Sequence, residues 1–259
     1  MPCPKGGAFF YPMKNHISEA IIMRIKEYGE SDILVTFFTP DMGQLKGVAK
    51  GARRSRRRFV NALDIFSLVK LEYGLTKEGA LYFLHSGKLI DGFPGLRSNY
   101  ASLSKASYMI ELTEVLFPPG VSEQRMYELL KEVFHLLDEG EQAAFLPMIF
   151  EIKALALGGF GIHFDKCCNC GRTYAFEGNA LFIPENGGIA CLKCQRESAR
   201  SPLMSPDSVR AFMGIQTESL LQSIKRHWTD ALVDEIKPVL RLHREYHLER
   251  RLKTSKFVE

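Results

Sequence analysis

Residues 33–59 read ILVTFFTPDMGQLKGVAKGARRSRRRF, and how this stretch is parsed decides the architecture of the first part of the chain. Ile33, Val35 and Phe37 alternate with Leu34, Thr36 and Phe38, the period of a strand. Thr39-Pro40-Asp41-Met42-Gly43 then makes a tight turn, proline fixing φ early and glycine ending it, so the next strand folds back antiparallel. In that basic strand, alternation puts Lys46, Val48 and Lys50 on one face and Leu45, Gly47 and Ala49 on the other. After Gly51 the period is lost. The arginine run reads as a loop leaving the sheet, a mobile cluster beyond rigidly held lysines.

From Gly43 to Phe59, Lys46, Lys50, Arg53, Arg54, Arg56, Arg57 and Arg58 supply seven positive charges with no acid among them. The chain's formal net charge is +4, which leaves its remainder at −3. The basic balance is therefore local. A cationic strip on a mildly anionic body is the footprint of a polyanion-binding surface, because lysines and arginines that neutralise phosphates release condensed counterions.

Working outward, Ile21, Met23 and Ile25 alternate with Ile22, Arg24 and Lys26 in an upstream strand. Downstream, Leu63 to Tyr73 reads as a fourth strand with Ile65, Val69 and Leu71 on one face. A polar turn over 74–79 leads to a fifth, Ala80 to Leu89. Five strands with no long helical pattern between them favour an OB-fold barrel, an architecture that binds oligonucleotides on an open face. Of its aromatics (Phe37, Phe38, Phe59, Phe66, Tyr73, Tyr82, Phe83) most are expected in the core. Residues 1–16, rich in proline and glycine, read as a leader, and 17–95 as the barrel domain.

After Phe93-Pro94-Gly95-Leu96-Arg97-Ser98 the apolar period switches to about 3.6, so 96–259 reads as an α-helical bundle domain. Tyr100, Leu103, Ala106, Ile110 and Leu116 stripe a first helix; Ser122 is the expected cap of a second; a third ends at Gly158-Gly159. Ser205-Pro206-Asp207 and Thr229-Asp230 open two more, the last running toward Leu252. Glu111, Glu114, Glu132, Asp138 and Glu139 are expected on solvated helix faces. The last helix would offer Arg241, Arg244, Arg250, Arg251 and Lys253 to an acidic partner.

Inserted at about 160–197 are two Cys-x-x-Cys pairs, Cys167/Cys170 and Cys191/Cys194. Two such turns close a tetrahedral four-thiolate site, and Ala180–Ile183 with Gly187–Ala190 reads as a hairpin that brings them together. Zinc is the expected ion, and four thiolates leave it no open position, so its role is structural. Cys168 is a spare thiol beside the first pair. No βαβ pattern surrounds either pair, as a redox motif would require, and no phosphate-binding glycine loop is present. With no catalytic constellation, no signal peptide and no apolar run of bilayer length, a cytoplasmic, non-enzymatic protein is expected.

The stretch SEAIIMRIKEYGESDILVTFFTPDMGQLKGVAKGARR, the phrase FPGLRS and the block LALGGFGIHFDKCCNCG…GGIACLKC together resemble the RecO family of bacterial recombination mediators. The resemblance runs from Ser18 onward. It implies non-specific binding of single- and double-stranded DNA, annealing of complementary strands, contact with the acidic C-terminal tail of the single-strand-binding protein, and RecA loading together with RecR. It assigns DNA contact to Lys46, Lys50, Arg53, Arg54, Arg56, Arg57 and Arg58, and metal ligation to the four paired cysteines. The competing readings are a zinc-containing nucleic-acid-binding regulator or RNA-binding barrel, and a scaffold that binds only protein.

Overall fold

The structure, a computed structural model, describes residues 15–75, 81–140, 144–248 and 251–257. Most of the expected leader, residues 76–79 of the expected polar turn, Ala80 of the expected fifth strand and Arg250 lie outside the described residues. The chain divides into two compact units, one formed by residues up to 39 together with 45–92, the other by 40–44 together with 93 onward.

The first unit is a closed five-stranded barrel of β1 (His16–Tyr28), β2 (Asp32–Thr39), β3 (Gly43–Ala49), β4 (Leu68–Leu75) and β5 (Tyr82–Asp91), in the order β1-β2-β3-β5-β4. Closure depends on β1. Its first half pairs antiparallel with β4, from His16 opposite Tyr73 to Ile21 opposite Leu68, and its second half pairs with β2, down to Tyr28 opposite Asp32. A bulge between Ile22 and Arg24 turns the strand from one partner to the other. Strict alternation predicted one buried face; instead Ala20, Ile21, Ile22 and Met23 are all buried, because the bend wraps this segment around the core. β3 and β5 pair in parallel, Gly47 opposite Tyr82, which completes the wall.

The fourth strand begins later than its apolar pattern suggested. Residues 59–66 form turns, with Asn61 at φ 52° and Phe66 at φ 72°, and their apolar side chains Phe59, Ala62, Leu63 and Phe66 are buried. Phe66 is held in this costly conformation by its N–H donating to the Ile22 carbonyl, 2.8 Å away.

The second unit contains α1 (Pro94–Ser98), α2 (Tyr100–Leu116), α3 (Gln124–Asp138), α4 (Leu146–Leu157), α5 (Pro206–Thr217), α6 (Leu220–Lys225) and α7 (Asp230–His247). Between α4 and α5 lies a small sheet, β6 (His163–Cys167), β7 (Ala180–Ile183), β8 (Gly188–Cys191) and β9 (Leu203–Met204), in the order β6-β8-β7-β9. Helix α4 is apolar apart from Glu151 and Lys153, is buried from Leu146 to Leu155, and packs against α2, α3, α5, α6 and α7. Ser205 and Thr229 cap α5 and α7 as the sequence indicates, but α3 is capped by Glu123 and not by Ser122.

Two acids expected in solvent instead serve the fold. Glu111 is buried, and its carboxylate accepts from the N–H groups of Lys253 and Thr254 at 3.1 and 2.9 Å, tying down the C-terminal segment. Asp138 accepts from the N–H groups of Gly95 and Leu96 at 2.7 and 3.1 Å, capping α1. Gly95 is required there, since a Cβ would stand 2.2 Å from the Asp138 carbonyl oxygen. Inside, Glu151 of α4 accepts from the Tyr108 hydroxyl at 2.5 Å and pairs with Arg244 of α7 at 3.1 Å. Burial comes first among the causes that hold the Tyr108 phenol well above its ordinary range.

His243 of α7, 1% exposed, donates from Nε2 to the Phe160 carbonyl at 2.6 Å, while its Nδ1 meets no partner. Burial pushes this imidazole down from 6.5 to about 4; the Phe160 carbonyl opposes the shift and the neighbouring His247 adds to it. A folded-state value below the unfolded one means that, as pH falls below 6.5 toward 4, the unfolded chain takes up a proton that the folded chain refuses. Stability of the helical unit should therefore be lost across this window, and His243→Gln should make the loss shallower in denaturant melts. Superimposable pH profiles for the two proteins would contradict the assignment.

Candidate nucleic-acid surface and candidate metal centre

All seven candidate cations are exposed, on or after β3. Only Lys46 projects from the strand itself; Val48, expected beside it on an open face, is buried, and Lys50 lies just past the strand end. On the inner side Gly47 leaves little room for a side chain, because a Cβ would stand 2.9 Å from the Leu84 side chain and 3.1 Å from the Tyr82 carbonyl oxygen.

The arginine loop is not the loose tether that loss of period implied. Gly51 turns the chain at φ 64° and its N–H donates to Asp32 Oδ1 at 2.8 Å. The Arg53 N–H donates to the Ser31 carbonyl at 3.1 Å, and Ala52–Arg54 forms one 3-10 turn with Ala52 buried beneath it. At the far end the Arg58 N–H donates to Ser55 Oγ, the Gly87 N–H donates to the Arg58 carbonyl at 2.8 Å, and Phe59 is buried. The loop is fastened to the barrel at both ends.

The charges themselves divide into two groups. Arg53 pairs with Glu27 at 3.3 Å and donates to the Glu30 carbonyl, while Arg58 folds back onto the Lys50 carbonyl and lies 5.2 Å over the Phe59 ring. Lys46, Lys50, Arg54, Arg56 and Arg57 form no ion pair among the described residues. Five uncompensated cations on a strand and the fixed loop after it make a field that an anion relieves. Of the aromatics, Phe37, Phe38, Phe59, Phe66 and Tyr73 are core, whereas Tyr82 and Phe83 are partly exposed.

In the helical unit, β6 and β8 run parallel with Cys167 opposite Ile189, and this places the two cysteine pairs side by side. Each pair sits on a tight turn: the Gly171 N–H donates to the Cys167 carbonyl and the Cys194 N–H to the Cys191 carbonyl, both at 2.9 Å. The sulfurs of Cys167, Cys170, Cys191 and Cys194 all lie within 4.8 Å of one another, with Cys170 and Cys191 at 3.9 Å. A tetrahedral ion with metal–sulfur bonds of about 2.3 Å needs sulfurs about 3.8 Å apart. Cys168 stands outside this group, its sulfur 3.7 Å from Asn169 Oδ1.

The acidities of these thiols conflict. Burial opposes ionisation of Cys167, but the N–H groups of Cys170, Cys191 and Asn169 outweigh it and bring the thiol down to about 6. Cys194 is pushed up to about 12 by its hydrogen bonds to Cys191 and then to Cys170. Four sulfurs this close cannot all ionise without a cation among them, so the donor set fits a metal ion.

Sequence spacing gave no sign of several other features. Lys70 and Lys88 face each other across β4 and β5, both exposed, and Asp32 anchors the loop from β2. On α7 the expected basic stripe is broken up: the helix ends at His247, Arg251 and Lys253 lie beyond it, and Arg244 is buried on Glu151. Arg241 remains exposed and, with Lys237, Pro147, Met148, Pro238 and Leu240, lines a cavity of about 250 Å³.

The chain thus joins a closed OB-like barrel bearing a fixed cationic loop to a helical unit with a cluster of four cysteines. Sequence comparison places this pairing among DNA repair proteins. Residues 13–93 match the family described as Recombination protein O N terminal, and residues 97–256 match Recombination protein O C terminal. The chain belongs to the RecO family. It is 32% identical over 194 residues to the DNA repair protein RecO of Syntrophus aciditrophicus (strain SB), covering 75% of this chain and 74% of that protein. It is 30% identical over 239 residues to that of Anaeromyxobacter sp. (strain K), covering 92% and 94%. Among the described residues no helix is long and apolar enough to cross a membrane.

Proposed function

We propose that this chain is a recombination mediator in DNA repair that binds single- and double-stranded DNA without sequence preference and anneals complementary strands. The observation that carries the reading is the set of five unpaired cations, Lys46 on β3 and Lys50, Arg54, Arg56 and Arg57 on the loop after it, which is fixed at both ends to the barrel. Annealing requires that phosphate repulsion between strands be screened while base edges stay free; backbone cations without base-specific side chains meet both needs. No catalytic side chain is called for. In this reading Lys46, Lys50, Arg53, Arg54, Arg56, Arg57 and Arg58 contact phosphate, and Arg53 exchanges Glu27 for it.

Cys167, Cys170, Cys191 and Cys194 would hold zinc. The ion would fix the two turns and the intervening hairpin, with no coordination position left for chemistry. The same proposal places the protein with RecR in loading RecA onto strands coated by single-strand-binding protein. An acidic tail suits the cavity beside Lys237 and Arg241, whose walls combine these cations with Pro147, Met148 and Leu240, the Glu151 carboxylate in the same wall being paired with Arg244.

Three outcomes are expected. If about five cations contact single-strand phosphates, the log–log salt slope of binding is about −3.5, and replacing Arg53, Arg54, Arg56, Arg57 and Arg58 by Ala flattens it and slows annealing; an unchanged slope would place the DNA elsewhere. Selection from random oligonucleotides should enrich no motif, whereas a single enriched sequence would favour the regulator. Elemental analysis should find one zinc per chain, lost together with amide-exchange protection of β7 and β8 in Cys170→Ser/Cys194→Ser. Full zinc content in that variant would refute the ligand set.

A further inference from the structure

A second group of cations stands on the barrel wall beside the arginine loop. β4 and β5 pair antiparallel with Lys70 directly opposite Lys88, and both side chains are exposed. Like charges set face to face across a ladder weaken a sheet, so this pair is a cost to the fold. Glu19 of β1 stands opposite Lys70 on its other side, but among the described residues neither lysine forms an ion pair, and Glu72, the nearest acid along β4, is held by the Ser86 hydroxyl at 3.0 Å. The lysines open onto a groove of about 330 Å³ that Arg57 and Arg58 also line. The join is structural, since the Gly87 N–H that donates to the Arg58 carbonyl belongs to the residue just before Lys88. At the other lip, on β1, Ile17 is 64% exposed and sits opposite Glu72.

We propose that this groove is a second nucleic-acid subsite, which carries the backbone of a single strand onward from the arginine loop across the outer face of β4 and β5. Lys70 and Lys88 contact successive phosphates, and Ile17 gives an unpaired base or its sugar an apolar rest. Four cations against Glu72 in the lining and Glu19 beside it leave a net positive charge that suits a phosphodiester. Its contribution falls on single-stranded DNA, because the apolar rest at Ile17 serves an unpaired base. The proposal rests on the DNA-binding reading above, but assigns a path that the cluster of arginines alone does not show.

The test measures single-stranded oligonucleotide binding as a function of salt for the full chain, for Lys70→Gln/Lys88→Gln, and for the five-arginine alanine variant. The lysine variant should lower the magnitude of the log–log slope by about 1.4, two phosphate contacts at 0.7 each, while duplex binding keeps its slope. Its melting temperature should stay level or rise, because an opposed like-charge pair has been removed. A full slope in the lysine variant beside a flattened one in the arginine variant would overturn the groove and leave the proposed function standing. Full slopes in both would overturn the DNA-binding reading as well. A fall in melting temperature would show that the lysines serve the fold, and would also overturn the proposal.

Discussion

The barrel exists because one strand serves two neighbours. β1 gives its first half to β4 and its second half to β2, and the bulge between Ile22 and Arg24 makes the turn from one to the other. Without that change of partner the five strands would form an open sheet with two bare edges. Closure also fixes what lies between β3 and β4. Residues 50–67 begin and end on the same rigid wall, so Asp32 can hold Gly51 while Gly87 holds Arg58. The arginines are thereby presented at fixed positions, and electrostatic attraction does not first have to order a floppy chain.

The helical unit solves a different problem with similar means. Its central helix α4 carries two ionisable residues into the interior, and each is fully engaged. Glu151 meets Tyr108 and Arg244, whereas Lys153 donates to the carbonyls of Ile215 and Glu218 at the end of α5, where free carbonyls and the helix dipole favour a cation. Burial nevertheless lowers the Lys153 ammonium below its ordinary value. Buried charges of this kind specify which helices meet, since removing one partner would strand the other in a medium of low dielectric.

How much of this could be read in advance follows the range of the signal. Alternation identified the strands, and Cys-x-x-Cys spacing identified the cluster of four cysteines, because a tight turn fixes the geometry of each pair over a few residues. Signals that depend on distant partners were misread or missed. The apolar run at 59–66 looked like strand but turns on Asn61 and Phe66 to fill the barrel, a demand set by the wall around it. Glu111 and Asp138 looked solvated because nothing local marks the N–H groups they accept. Lys70 and Lys88 are eighteen residues apart and become neighbours only through the register of β4 with β5. The arginine loop was legible as charge but not as a fastened element, since its anchors lie on β2 and β5.

The partner switch in β1 also constrains the order of events during synthesis. The hairpin of β1 with β2 can form as soon as residue 39 has left the ribosome, but the edge that His16 to Ile21 offers to β4 must wait until about residue 73 has emerged. During that interval the nascent chain displays a strand edge with buried-type residues Ala20 and Ile21 uncovered, the kind of surface that chaperones bind and that aggregates recruit. Polypeptides released before the fourth strand is made would keep that edge permanently, and so would be natural targets for degradation.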